Sequence, residues 1–363
     1  MKAPSPLQAP AALLAAVIGL LLLTVPQHAM AADPARPIVL RQTGGFPIGG
    51  KRIVSPENPS KTMSCDHGYV EYFLPWTPRR TSLMMIHSSS TQIWQNRWDG
   101  GPGFKDMFLR RDYPVYLWDG PRVGRANLAC EPYEYAPDYT DEYKFEAWNF
   151  GLTWKNWWSN VQFPKENAAA WDRAVRSRYF EFDNPESVHL QSEAMANATD
   201  SGLLGDDIVY LTNTAGGLRA QLAVVKSKRQ NIKAIYAYEG VGYVFPDNVG
   251  IAPGTGGFGP VIVSVEEFKK LASLAAIQFV WGDHRNATEK GVRSIGYSLR
   301  AAELINQYGG NAKVLMLGDD AGLWGSTHIP VADMDNDKVA DLLDEFLAVN
   351  KLDIYPPTGS GKL

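Results

Sequence analysis

Three polar side chains that could together perform acyl transfer each follow a short apolar segment of the 363-residue sequence. They are the hydroxyl of Thr214, the carboxylate of Glu239 and the imidazole of His328. Acyl transfer uses a nucleophile, a base that takes its proton and a carboxylate that orients the base. Because the carboxyl ends of parallel strands meet at one edge of a sheet, the three positions predict a Thr–His–Glu catalytic triad.

The orienting carboxylate has two candidates in the sequence. Glu239 lies between a bulky apolar residue, Tyr238, and Gly240, which suits a buried acid at the end of a strand. Asp283 comes shortly after the apolar segment that ends at Trp281. We favour Glu239 as the third member of the triad. Asp283 is then expected to hold the loop of the catalytic histidine or to cap a turn.

The base has to be chosen from six histidines. His28 belongs to the N-terminal leader, and His67 and His189 fall on segments remote from the predicted strand ends. His87 closes a predicted strand and is expected to support a loop rather than to transfer protons. His328 lies among small residues after the last predicted strand, from which it could reach a nucleophile across the edge of the sheet. It is therefore the predicted base.

The elements that must position these residues are predicted from apolar patterning. Six apolar segments have the length of strands that are buried on both faces of a sheet. Helical patterns with one apolar stripe separate the later segments, so we predict an α/β protein with a mostly parallel central sheet flanked by helices. Two earlier strands, near residues 38–54 and 69–73, are expected to pair antiparallel. The six segments are 83–86, 115–118, 208–211, 234–238, 276–281 and 314–317.

An aromatic segment interrupts this alternation. Residues 132–203 hold five of the eleven tryptophans and no clear sheet strand, which predicts an inserted cap between two parts of the core, 32–131 and 204–363. The tryptophans could simply pack the insert onto the core, or they could also face a substrate. We expect both, with four of them as substrate-binding residues: Trp148, Trp154, Trp157 and Trp158.

The first residues have the features of an export signal. Lys2 precedes an apolar run at 11–25, and residues 29–31 supply the small side chains of a cleavage site, so we predict a signal peptide over residues 1–31. The run is too short to favour a membrane span, and an uncleaved anchor is the alternative. The mature protein is therefore expected to be periplasmic or secreted.

Composition excludes several classes of function. A formal net charge of −4 without a run of Lys or Arg argues against a nucleic-acid-binding protein. A content of 45% hydrophobic residues excludes a disordered chain. Neither Cys65 nor Cys130 has histidines at metal-ligand spacing, so no metal is expected. In an oxidising compartment the two cysteines are expected to form one disulfide, the alternative being two buried thiols. No membrane contact is expected after the leader is removed, and the chain could form a homodimer.

The order of these segments resembles the α/β-hydrolase superfamily, in particular a group of secreted bacterial esterases, over nearly the whole mature chain. The resemblance is carried by a first hairpin, an oxyanion segment, a glycine-containing loop and a histidine loop, at 45–50 with 66–70, 87–90, 119–125 and 325–328.

The resemblance implies roles for backbone groups as well as side chains. It implies an oxyanion hole made by the backbone N–H groups of Ala215 and of Ser88 or Ser89, with His87 as support. It also places the triad acid after the sixth strand, at Glu239, and it implies no metal or organic cofactor.

A threonine stands where the resembled esterases have a serine. The elbow that holds such a nucleophile has a positive φ, which costs a β-branched residue about 1 to 3 kcal/mol. Three interpretations follow: Thr214 is the nucleophile of a specialised hydrolase, or His328 acts on water or a substrate proton while Thr214 only forms hydrogen bonds, or the protein binds a ligand with a retired triad. The presence of His328 and Glu239 favours an enzyme. The aromatic insert favours a small-molecule ester or lactone with an apolar or aromatic body.

Overall fold

A computed structural model describes residues 36–87, 90–132, 140–180 and 183–357. The predicted signal peptide, residues 1–31, lies outside these ranges, as do Ser88 and Ser89 of the predicted oxyanion hole. Among the described residues, no helix combines the length and the apolar character that crossing a bilayer requires.

The described part of the chain contains one large sheet and two small ones. The strands are β1 Leu40–Ser55, β2 Asn58–Pro75, β3 Thr81–His87, β4 Val115–Asp119, β5 Gly151–Thr153, β6 Asn156–Trp157, β7 Asp207–Asn213, β8 Ile232–Tyr238, β9 Val244–Pro246, β10 Val261–Val263, β11 Ala276–Trp281 and β12 Ala312–Met316. The large sheet has the order β1-β2-β4-β3-β7-β8-β11-β12. β1 and β2 pair antiparallel, β2 pairs antiparallel with β4, and the other pairs are parallel. The predicted mostly parallel sheet is confirmed, and each of the six predicted segments overlaps a parallel strand.

The central strands are buried on both faces, which explains why they are continuous apolar runs in the sequence. Along β3, Met84 and Ile86 pack into one core layer, and the alternate residues Leu83 and Met85 pack into the other. This alternation follows from the two-residue period of a strand. A strand with helices on both sides needs apolar residues at every position.

Helices cover both faces of the sheet. They are α1 Gln92–Gln95, α2 Phe104–Arg110, α3 Asp141–Ala147, α4 Ala168–Arg176, α5 Pro185–Asp200, α6 Gly216–Lys226, α7 Val265–Ala272, α8 Glu289–Gln307, α9 Leu317–Ala321 and α10 Asn336–Val349. The apolar stripes of α5, α6, α7 and α8 build the core on one face, and those of α2 and α10 build it on the other. The three-layer arrangement leaves the carboxyl edge of the parallel strands open for a site.

The aromatic insert has its own packed centre. Phe145 of α3 and Phe150 contact a group of rings that share this centre: Trp154, Trp157, Phe163 and Trp171. Within the predicted bounds 132–203, helix α5 packs instead against α6 and against β1 and β2. The exact limits of the cap, and with them the core parts 32–131 and 204–363, stay predictions.

A disulfide joins Cys65 of β2 to Cys130, 65 residues later in the chain, and the predicted pairing is confirmed. Two hydrogen bonds lie beside it: the backbone N–H of Asp66 donates to the carbonyl of Leu128 at 2.8 Å, and that of Cys130 donates to the Asp66 carboxylate at 3.2 Å. The bridge therefore ties the long N-terminal hairpin to the segment that follows β4.

Removing this bridge is expected to destabilise the protein. With a separation of 65 residues, loop-closure entropy predicts that a Cys65→Ser/Cys130→Ser double variant loses about 4 kcal/mol of unfolding free energy. Urea denaturation followed by circular dichroism measures it, and wild-type protein kept in reductant is the matched control. A double variant as stable as the oxidised wild type would contradict the expectation.

Candidate active site

The candidate site lies where adjacent parallel strands end. In the register of β7 and β8, Asn213 pairs with Tyr238, so the next residues of the two strands, Thr214 and Glu239, emerge side by side. Both have left-handed backbones, with φ of 50° and 53°. The chain therefore turns sharply at both positions and presents a side chain at the sheet edge.

Thr214 occupies the turn between β7 and α6. Its N–H donates to the Tyr238 carbonyl at 3.1 Å, which fixes the turn against the neighbouring strand. A Cβ atom at Gly216 would lie 3.1 Å from the carbonyl oxygen of Ile86, so a glycine suits the tight start of α6. A positive φ is rare for a β-branched residue and costs about 1 to 3 kcal/mol. The surrounding hydrogen bonds and packing must compensate for that strain.

Glu239 is fully buried. Its Oε1 accepts a 2.5 Å hydrogen bond from the backbone N–H of Gly282, and its Oε2 lies 3.0 Å from Nδ1 of His328. Burial alone would raise the pKa of this carboxyl, but the Arg285 guanidinium and the His328 imidazole together hold it below its ordinary value. The group is therefore an ionised acceptor, and Nδ1 of His328 carries the proton in their contact.

His328 is held by its backbone as well as by its ring. Its N–H donates to the Trp148 carbonyl at 2.9 Å, and its carbonyl accepts from Nδ2 of Asn213 at 2.9 Å. With Nδ1 directed at Glu239, Nε2 is the ring nitrogen left to accept a proton. Burial, opposed by the Glu239 hydrogen bond and reinforced by the Arg285 charge, lowers the pKa of His328 to about 4. The imidazole is neutral at pH 7, as a base must be before it acts.

Arg285 lies in the candidate site, although the sequence does not predict it there. It lies in the short 3₁₀ turn Arg285–Ala287 after β11, and its guanidinium contacts both Oε2 of Glu239 and Nδ1 of His328. Since Nδ1 already donates to the carboxylate, the attraction of Arg285 is to Glu239. The available signal was a cation two residues beyond Asp283, at the end of the strand next to β8.

Asp283, the alternative acid, lies beside the histidine loop rather than at the ring. Its Oδ2 accepts from the N–H of Gly325 at 2.9 Å and from Nδ2 of Asn160 at 3.2 Å, and its own N–H donates to the carbonyl of Ser326 at 3.0 Å. The structure thus brings Glu239 to His328 and places Asp283 where it fastens the loop that carries His328.

The predicted oxyanion segment is described in part. Nδ1 of His87 accepts a 2.9 Å hydrogen bond from the N–H of Ser90. Burial and the nearby His328 lower the pKa of His87 to about 3, so this ring is neutral at pH 7. Ala215, the other predicted donor, directly follows Thr214 and lines the cavity described next.

A cavity of about 620 Å³ opens above these residues. Thr214, Glu239 and His328 lie on its wall together with Trp148 and Trp158 from the insert. The other two tryptophans predicted to bind substrate lie elsewhere, because Trp154 and Trp157 pack edge-on against Phe145 inside the insert. Among the described residues, no group of three or more His, Cys, Asp or Glu side chains could hold a metal ion.

The insert supports the histidine loop and also forms part of the cavity wall. Trp158 stacks on the His284 ring with centroids 4.3 Å apart, and its Nε1–H donates to Oδ1 of Asn149 at 3.2 Å. Nδ2 of Asn149 donates in turn to the Asp283 carbonyl at 2.7 Å. The aromatic segment and the ends of the core strands thus form one hydrogen-bonded structure around the candidate site.

The fold of the chain is similar to that of a solved structure described as a novel bacterial esterase. The similarity has a TM-score of 0.72 with 22% identity, and it covers 88% of this chain and 98% of that one. The chain has the α/β-hydrolase fold.

Other solved structures match less well. The esterase Est22 matches with a TM-score of 0.42 and 12% identity over 85% of this chain and 82% of its own. An esterase of Pyrococcus furiosus matches with a TM-score of 0.42 and 10% identity over 85% and 91%. No family model and no curated protein sequence matches the chain.

The charge of Arg285 should be measurable in the titration of His328. We expect His328 to titrate near its pKa of about 4, and Arg285→Gln to move that pKa toward the ordinary 6.5, because a nearby cation disfavours the imidazolium. The pH dependence of the ring ¹⁵N shifts, assigned with His328→Gln, measures it.

The matched control is Arg300→Gln, which removes an exposed arginine of α8 that pairs only with the exposed Glu303 in the described structure. It should leave the pKa of His328 unchanged. A wild-type His328 that titrates near 6.5, or an Arg285→Gln variant with the wild-type pKa, would contradict the assigned role of Arg285.

Proposed function

We propose that the protein hydrolyses a carboxylic ester or lactone through an acyl-enzyme formed on Thr214. The observation that carries the proposal is the contact between the buried Glu239 carboxylate and Nδ1 of His328, made beside a left-handed Thr214 on the wall of one cavity. A carboxylate at Nδ1 fixes the tautomer that leaves Nε2 free to act as a base.

The first half of the reaction forms the acyl-enzyme. His328 Nε2 takes the proton of the Thr214 hydroxyl as Oγ1 attacks the carbonyl carbon of the ester. Backbone N–H groups of Ala215 and of Ser88 or Ser89 stabilise the negative charge on the carbonyl oxygen. His328 then gives its proton to the departing alcohol, and Thr214 is left as an ester of the substrate acid.

The second half regenerates the enzyme. A water molecule gives its proton to Nε2 of His328 and attacks the Thr214 ester, and the collapse of the intermediate returns the proton to Oγ1 and releases the acid. Glu239 stays ionised throughout and stabilises the imidazolium that forms in each half. His328, with its low pKa, is a weak base held in the neutral form, so turnover is expected to extend well below pH 7.

The threonine methyl group distinguishes this mechanism from that of a serine hydrolase. It restricts χ1 of Thr214 and crowds the carbonyl that approaches Oγ1. We therefore propose slower but more selective acylation. The similar bacterial esterase supports the reaction class and leaves the substrate open.

The proposal also includes the apolar part of the substrate and the cellular location of the enzyme. Trp148 and Trp158 on the cavity wall favour an apolar or aromatic body. The disulfide between Cys65 and Cys130 is compatible with a secreted or periplasmic protein. The predicted signal peptide would direct the chain there.

Single substitutions test the role of Thr214. With 4-nitrophenyl butyrate, Thr214→Ala should lower kcat by about a thousandfold, and His328→Ala by a similar factor, since each removes a member of a unit that acts together. Thr214→Ser keeps the hydroxyl and removes the crowding methyl, so its kcat should rise by roughly tenfold, equivalent to about 1.4 kcal/mol of barrier.

Thr62→Ala, at an exposed position of β2, is the matched control and should keep wild-type kinetics. If Thr214→Ala hydrolyses the ester as fast as wild type while His328→Ala does not, His328 acts on water directly and the acyl-enzyme is wrong. If wild type is inert and only Thr214→Ser is active, the protein binds a ligand without turning it over.

A further inference from the structure

We propose that the substrate carries a free carboxylate, which binds between Lys290 and Arg285 at the start of α8. This inference rests on the proposed ester hydrolysis and adds the substrate class: an ester with an apolar or aromatic body and an anionic group, such as the half-ester of a dicarboxylic acid. The supporting observations are two cations, a helix terminus and the charge balance of the cavity wall.

Lys290 is a solvent-exposed cation. It lines the cavity in the first turn of α8, and among the residues that the structure describes, no carboxylate forms an ion pair with its ammonium. Its charged neighbour is Arg285, and desolvation together with that guanidinium lowers the pKa of Lys290. Two cations that disfavour each other beside a cavity provide a place where a bound anion stabilises both.

The Arg285 guanidinium has N–H donors that its contacts with Glu239 and His328 do not use. Its contacts with Glu239 and His328 are both made through one terminal nitrogen, and its Nε is buried without a hydrogen-bond partner among the described residues. A guanidinium presents five N–H donors in a planar fork that matches a carboxylate. Arg285 can therefore keep Glu239 ionised while its other donors are available to an anion.

The start of α8 adds a third positive element. Thr288 caps the helix by accepting from the N–H of Gly291, and both residues line the cavity with Lys290. The helix runs for 19 residues, and its dipole places partial positive charge at this end.

The carboxylates on the cavity wall leave this positive end uncompensated. Glu239 is already shared by Gly282, His328 and Arg285, and Asp183 pairs with Arg219 at 2.9 Å. Glu146 is exposed and belongs to the insert.

The two other cations of the wall already have partners. Arg178 donates to Asp141 at 3.2 Å, and the Lys144 ammonium lies 5.6 Å from the centre of the Trp148 ring. Lys290 with Arg285 is therefore the anion-binding pair next to the triad.

Matched esters test the inference directly. The free acid 4-nitrophenyl hydrogen glutarate and its neutral methyl ester, 4-nitrophenyl methyl glutarate, share the acyl chain and the leaving group. We expect wild type to prefer the anionic ester by about tenfold in kcat/KM, and Lys290→Gln to abolish that ratio, with Lys290→Arg restoring most of it. Lys269→Gln, which removes an exposed lysine of α7, should leave the ratio unchanged. Thermal melting shows whether each variant is folded.

A binding measurement separates failure of the anion site from failure of the hydrolase proposal. By calorimetry, wild type should bind phenylacetate more tightly than neutral phenylacetamide, and Lys290→Gln should bind both equally. If neither ester is cleaved but phenylacetate binding depends on Lys290, hydrolysis is wrong and the anion site stands. If the neutral ester is cleaved as well as the anionic one, and Lys290→Gln changes neither the ester ratio nor phenylacetate binding, the anion site is wrong and hydrolysis stands.

Discussion

The carboxylate of Glu239 is fully buried. Its negative charge is stabilised by the groups around it, and the rest of the candidate site depends on these contacts. An unpaired buried carboxylate would take up a proton, because its charged form is costly without partners. The N–H of Gly282, the guanidinium of Arg285 and Nδ1 of His328 supply those partners. Gly282 and Arg285 follow β11, and His328 lies between α9 and α10. The strand order β8-β11-β12 therefore allows the carboxylate to stay ionised and to orient an imidazole.

The same sheet edge requires Thr214 and Glu239 to have left-handed backbones. Such turns are strained and need support from outside the strands. The insert holds the neighbouring loops instead, since the Trp148 carbonyl accepts from the N–H of His328 and Asn149 donates to the Asp283 carbonyl. The aromatic segment thus serves packing first, through Trp154 and Trp157, and reaches the cavity through Trp148 and Trp158. A substitution in the insert can therefore alter His328 without any contact to its ring.

The sheet was predictable because strands buried on both faces are continuous apolar runs, and the pairing of Cys65 with Cys130 because the chain has no other cysteine. The proximity of Glu239 and His328 followed from both lying after strands. Arg285 was not predictable, since an arginine among polar loop residues looks solvent-exposed until the order β8-β11 places it beside Glu239. The number of tryptophans in the sequence could not show which of them pack inside the insert and which lie on the cavity wall, because tertiary contacts decide this.

We propose that Thr214 is a nucleophile activated by His328. Intact-protein and peptide mass spectrometry after treatment with a fluorophosphonate probe measures this most directly, because the probe reacts with an activated hydroxyl. A single adduct on the peptide that contains Thr214, lost in Thr214→Ala and in His328→Ala but retained in Thr62→Ala, is the predicted result. An adduct on another residue, or hydrolysis of an ester by protein that never becomes labelled, would contradict the claim.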